Sequence, residues 1–271
     1  MEKHRATYCG ALLLLVLIGF FVGAIGQTQT GWYNINPIRK VSSQLGDVLG
    51  DIESRMPAGH IYRDSDQITW AHETTHGLNS RWRQHFNKPC FYVLSGRLCT
   101  LTHPTIRLSD VASAVPQSLR GNGYQLYLRQ MQQYWNNEPL YIFDEWTAYS
   151  NGAATIIDLE NKGLLHNNGG RYYGADLEKV IQFMNYSLVV AQIGHKKFAD
   201  ETQKTRFNIF VKWYVERSME LYLAGRKSVV INPAPADETL RRLRQGTDTA
   251  SLRSFCRSYF GEKWCKDILG I

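Results

Sequence analysis

"DSDQITWAHETTHGLNSRWRQHF", Asp64 to Phe86, is the stretch from which the rest of the chain is best read. Asp64, Ser65 and Asp66 are residue types that cap helix N-termini. Ile68, Ala71, Thr75, Leu78 and Trp82 then recur at i, i+3, i+7, i+10 and i+14, which predicts a helix to about Phe86 with that stripe against a core. His72 and His76 stand one turn apart on the same face, beside the stripe, at the edge of the core. Gly77 costs such a helix about 1 kcal/mol relative to alanine, so its presence implies a close contact at that point.

The spacing His72-Glu73-Thr74-Thr75-His76 carries chemistry of its own. Two imidazoles at i and i+4 converge on one Zn2+ at the usual bond length of about 2.0–2.1 Å. Glu73 lies beside them, placed to deprotonate a metal-bound water without being a ligand. A catalytic zinc needs a third protein ligand and one open position. Asn79 and Trp82 occupy the places where an extended three-histidine pattern needs glycine and histidine, and His85 is a turn too far on. "IFDEWTAYSNGA" offers Asp144 and Glu145 instead. On a helix, Asp144 shares a face with Thr147, Asn151, Thr155 and Asp158, a polar stripe expected to be solvated. Glu145 shares one with Tyr149, Gly152, Ala153 and Ile156, residues suited to close helix packing. An unpaired charge is costly to bury there, and a metal makes such burial favourable, so Glu145 is the expected third ligand.

His72, Glu73 and His76 followed by a glutamate on a later helix resemble the gluzincin group of HExxH zinc metallopeptidases. The resemblance covers the two helices and the chain between them. It implies a zincin-like catalytic domain holding one Zn2+ through His72, His76 and Glu145, with Glu73 as general base in the hydrolysis of peptide or protein substrates. In many members an acid four residues after the third ligand orients the first histidine; here that position is Tyr149, which leaves the orienting partner open. Tyr149 is on the correct face to stabilise an oxyanion and is the second candidate catalytic residue. A zinc hydrolase of a non-peptide amide or ester shares this site chemistry. A non-catalytic exported binding domain is the other alternative, although such a domain has no use for Glu73.

The flanking sequence reads as an exported, mostly helical α+β protein. Lys3, His4 and Arg5 precede the apolar run Ala11 to Gly26, and Ala24 and Gly26 sit where a signal peptidase acts. Residues 1–26 are therefore expected to be a signal peptide, or else an uncleaved N-terminal anchor, with the rest extracytoplasmic or secreted. Residues 27–231 form the expected catalytic domain and 232–271 a linker with a small helical appendage. Cys90, Cys99, Cys256 and Cys265 are an even set in an exported chain, and sequence-local pairing predicts disulfides Cys90–Cys99 and Cys256–Cys265. "CFYVLSGRLCTL" reads as a β-hairpin, "GHIYR" as a short strand, and helices are expected from Gly123, over 140–163, over 176–193 and over 200–224. Asp237 is the expected cap of the C-terminal element. Asn185 to Ser187 is a glycan acceptor sequence if the source is a eukaryote. His166, Arg171, Tyr172 and Tyr173 are set in a glycine-rich loop that either lines a cleft or simply joins two helices. The net charge of +7 on 271 residues is scattered, with no basic run interleaved with aromatics, so nucleic acid is not an expected partner. A monomer is expected.

Overall fold

Helix α2 (Gln67–Phe86) begins where Asp66 closes the first turn, its carboxylate accepting from Ile68 N at 3.1 Å and Thr69 Oγ1 at 2.9 Å. It ends at Asn87, whose φ of 50° is left-handed. The computed structural model describes residues 26–27, 31–165 and 174–271. The N-terminal apolar segment through Ile25 and the loop carrying His166, Arg171, Tyr172 and Tyr173 lie outside them. Among the described residues, no helix is long and apolar enough to cross a membrane.

The expected stripe of α2 is buried, and it packs chiefly against α5 (Tyr141–Asn161). Each fully buried leucine or isoleucine at this contact contributes about 1.5–3 kcal/mol. Small residues let the helices approach: a Cβ on Gly152 would stand 3.4 Å from Ile68 Cγ2, and one on Gly77 3.0 Å from Met56 Cε. Beyond α5 lie α6 (Ala175–Gly194) and α7 (Glu201–Gly225), which share with it a core centred on Trp146, Phe183 and Phe210. Helix α1 (Gly46–Glu53) rests across α2 and α5, and the short α3 (Leu108–Ala114) packs against α6. At the C-terminus, α8 (Ala234–Gln245) and α9 (Ala250–Phe260) lie against α6, and their buried leucines belong to that same core.

A small antiparallel sheet completes the molecule: β1 (Gly26–Gln27), β2 (Trp32–Asn34), β3 (Cys90–Tyr92) and β4 (Arg97–Thr100), in the order β1-β2-β4-β3. The hairpin turn runs through Leu94, Ser95 and Gly96, all with positive φ. Strand β3 is an edge strand, yet Tyr92 has both of its outward backbone groups occupied. Tyr92 N donates to Asn79 Oδ1 at 2.7 Å, and Tyr92 O accepts from Asn151 Nδ2 at 3.3 Å. Side chains from α2 and α5 thus take the place of another strand. Among the described residues the chain is predominantly helical with this one small sheet, as its patterning predicts.

Several expectations are corrected. The hairpin register pairs Cys90 with Thr100 and Phe91 with Cys99. Opposed residues share a face and neighbours alternate, so Cys90 and Cys99 project from opposite faces of the sheet and into different cores. The four cysteines among the described residues, Cys256 and Cys265 included, are buried free thiols, and no disulfide forms between them. Instead of a strand, "GHIYR" begins in a 3-10 turn, Ala58–His60. The segment from Gly123 is a π-helical stretch, Tyr124–Gln130, followed by α4 (Gln132–Trp135). Pro233 rather than Asp237 stands at the N-cap position of α8, and Asp237 lies in the first turn of the helix. Asn185 is fully buried, so a folded chain offers it to no glycan. Finally, the polar stripe of α5 is not solvated: Thr147, Asn151 and Thr155 are buried. Asn79 Nδ2 donates to Thr147 Oγ1 at 3.0 Å, and Asn151 Nδ2 to Thr75 Oγ1 at 3.1 Å. Polar groups that pair across a helix interface no longer need water.

Alkylation after unfolding without reductant is expected to label Cys90, Cys99, Cys256 and Cys265, read by peptide mass, while the folded protein leaves them unmodified. A peptide cross-linked through Cys90 and Cys99 would show the hairpin register to be wrong.

Candidate metal centre

Because α2 and α5 pack face to face, the two imidazoles one turn apart on α2 meet the Glu145 carboxylate of α5. His72 Nε2 and His76 Nε2 are 3.1 Å apart. Glu145 Oε2 lies 3.9 Å from the first and 3.7 Å from the second. Three donors each about 2.05 Å from a tetrahedral zinc would stand about 3.3 Å from one another, so the two sides that reach Glu145 are about 0.4–0.6 Å too long and the His72–His76 side about 0.2 Å too short. Among the described residues it is the one group of histidine, cysteine or carboxylate side chains arranged to hold a metal.

The donor chemistry fits a cation. Glu145 is 7% exposed, and its Oε2 has no hydrogen-bond partner. The other oxygen, Oε1, accepts from Tyr141 OH at 2.8 Å. Burial raises the Glu145 carboxyl to about 7, even though His76 and the Tyr141 hydroxyl favour its ionised form. A buried carboxylate oxygen facing two imidazole nitrogens is an arrangement a divalent cation stabilises, and one an apolar environment does not.

Asp144 does not face away, as its helical position suggested. Its Oδ2 lies 2.9 Å from His76 Nδ1, and its Oδ1 accepts from Asn79 Nδ2 at 2.6 Å. A carboxylate against Nδ1 holds the proton on that nitrogen and leaves Nε2 as a lone-pair donor towards the site. Burial opposes charge on His76, but Asp144, Glu145 and Glu73 together outweigh it and push its pKa up. Burial pushes His72 down, and neighbouring His76 adds to the effect. The carboxylate against an imidazole Nδ1 therefore belongs to the second histidine, and Asp144 immediately precedes Glu145 in sequence.

The remaining expected residues surround this triangle. Glu73 is exposed, and its charge acts on both His76 and Glu145. The Tyr149 ring stands edge-on to His72 at 4.4 Å, and its hydroxyl bonds Tyr127 OH at 2.5 Å. Sequence reasoning passed over Asp144, Asn79, Tyr141 and Tyr127. Tyr141 had a signal, since it sits four residues before Glu145 on one helix face. Tyr127 had none, because only the tertiary fold brings its segment here. Near the start of α6, burial and then the Asp66 carboxylate raise Asp176 to about 7. Asp176 stands over Gly152, on the face of α5 that carries Glu145 and Tyr149. Compared with family models, curated proteins and solved structures, the chain has no match.

Replacing Asp144 by Asn is expected to weaken zinc binding about 10–100-fold in chelator competition, with the far-ultraviolet spectrum unchanged. For Asp176 the folded pKa lies above the unfolded one. Its contribution to stability is therefore complete below the unfolded value near 4 and is lost as pH rises through about 7. Asp176→Asn should accordingly raise Tm at about pH 8, with the gain shrinking towards about pH 4. An equal gain at both pH values would refute the assignment.

Proposed function

We propose that this chain is a zinc-dependent metallopeptidase of the gluzincin-like type, acting on peptide or protein substrates outside the cytoplasm. The observation that carries this reading is the partnerless, buried Glu145 Oε2 facing His72 Nε2 and His76 Nε2. Together with Glu73 beside the triangle, it matches what hydrolysis at a metal requires: three donors and a nearby base. Export is inferred from the N-terminal apolar run and its basic flank.

His72, His76 and Glu145 would hold the ion, with Asp144 and Tyr141 fixing the orientation of His76 and Glu145. A zinc ion in such a site supplies a Lewis acid that polarises a carbonyl and makes water acidic near neutral pH. The chain's own part begins with Glu73, whose exposed carboxylate is free to take a proton from the attacking water. The same carboxyl then returns the proton to the departing amine, so no net proton stays on the enzyme. The Tyr149 ring packs against His72 and its hydroxyl bonds that of Tyr127, which gives the neighbourhood of the triangle a phenol donor able to meet negative charge on a carbonyl oxygen.

Elemental analysis of the purified protein should give about one zinc per chain in both wild type and Glu73→Gln, the three-ligand set being intact in each. Peptide hydrolysis should fall at least about 100-fold in the variant alone. Folded wild-type protein that takes up no zinc would rule this function out.

A further inference from the structure

Asp176, in the first turn of α6, carries a charge that its surroundings leave unbalanced. A carboxylate at a helix N-terminus is ordinarily stabilised by the exposed amides there and held below its usual pKa. Here burial and then the Asp66 carboxylate outweigh its own backbone amide and Lys179, and the group rises to about 7. Its neighbours are committed elsewhere. Lys179 Nζ bonds Gln182 Oε1 at 3.0 Å, and among the described residues Asp176 has no ion-pair partner. Asp66 has both oxygens occupied at the head of α2, by Ile68 N and Thr69 Oγ1.

Position ties this carboxylate to the candidate metal centre. A Cβ on Gly152 would stand 3.4 Å from both Asp176 Oδ1 and Ile68 Cγ2. Ile68 comes four residues before His72 on α2, which is about 6 Å along the helix. Gly152 lies on the α5 face that carries Glu145. Burial and then the charges of Glu145, Glu73 and Asp176 raise the Tyr127 hydroxyl, so the three carboxylates border one space. Asp176 therefore stands beside the triangle without touching it, within reach of a long side chain from a residue held there. An ionisable group kept in so unfavourable a place, at a cost in stability, is characteristic of a functional site. A cation against it would offset both its burial and its repulsion by Asp66.

We propose that Asp176 sets the specificity of this site, its carboxylate pairing with an ammonium or guanidinium group that the substrate carries beside the bond to be cut. Peptides that are cationic at that point are then the preferred substrates. This rests on the peptidase reading given above. Asp176 touches neither the metal ligands nor the reacting bond, and no proton needs to leave or join it. It acts by holding a positive group in a half-buried place, where a charge-assisted hydrogen bond is stronger than in water.

The zinc-loaded protein can be titrated calorimetrically with three hydroxamates that share one metal-binding group. Nα-acetyl-lysine hydroxamate carries a basic side chain, norleucine hydroxamate a free α-amine, and Nα-acetyl-norleucine hydroxamate neither. The wild type should bind the first at least about tenfold more tightly than the third. A preference for the second instead would identify the cation as the peptide's amino terminus. With zinc content equal, Asp176→Asn should remove whichever preference the wild type shows. Glu178→Gln, two residues further along α6, should keep it, because the pairing is a contact and not an effect of the general field. On any peptide the wild type cleaves, Asp176→Asn should lower kcat/KM for the cationic substrate at least about tenfold and leave its norleucine counterpart unchanged. Equal wild-type affinity for all three probes overturns the proposal. So does a preference that survives Asp176→Asn, or one lost equally in Glu178→Gln. If the wild type binds zinc and the hydroxamates but cleaves no peptide, the peptidase reading fails, while the binding preference still decides the role of Asp176.

Discussion

A carboxylate enclosed between two helices, with one oxygen unbonded, is the constraint on which this molecule turns. Burying an ionised group without a partner costs several kcal/mol, and Glu145 is enclosed in this way between α2 and α5. The folded chain meets part of that cost through the Tyr141 hydroxyl and part through His76. What remains is a negative oxygen and two imidazole nitrogens crowded within 4 Å of one another. Such an arrangement is costly in an empty protein and favourable around a cation, which is why its survival in the core argues for a ligand.

The same contacts that orient the candidate site also hold the fold together. Asn79 uses its whole amide at once: Nδ2 serves Asp144 and Thr147, and Oδ1 takes the Tyr92 amide of the edge strand. Asn151 takes the carbonyl of that same residue and reaches Thr75 on α2. The hairpin, α2 and α5 are therefore joined by directional bonds in addition to apolar burial, and those bonds fix the rotation of each helix about its axis. A small rotation of α5 would carry Asp144 away from His76 and Glu145 out of the triangle together. Hydrogen-bonded polar networks of this kind specify one arrangement where apolar packing alone tolerates several.

Much of this was legible along the chain. The limits of α2, α5, α6 and α7 followed from capping residues and periodicity, and the face of α5 that carries Glu145, Gly152, Ala153 and Ile156 was expected to be buried and is. The errors share one origin. The face of Asp144, Thr147, Asn151 and Thr155 was polar and was therefore expected in water, yet polar residues also pair with one another across an interface. The cysteines were paired by proximity in sequence, but strand register decides which side of a sheet each thiol occupies. The π-helical stretch has helical periodicity in sequence, and the Gln182 side chain that meets the turn before it, at Gly121 and Gly123, comes from far along the chain.

By itself, then, the sequence determined where the long helices run, that the apolar stripe of α2 seeks a core, and that two histidines and a glutamate share one helical turn. These are local matters, governed by residue type and by spacing within a few turns. Only the tertiary structure decided which carboxylate reaches which histidine atom, that Asn79 and Asn151 close the edge of β3, and that Tyr127 arrives beside Tyr149. Those contacts join residues far apart in the chain, and their geometry depends on how each helix is rotated against its neighbours, a property that no single segment encodes.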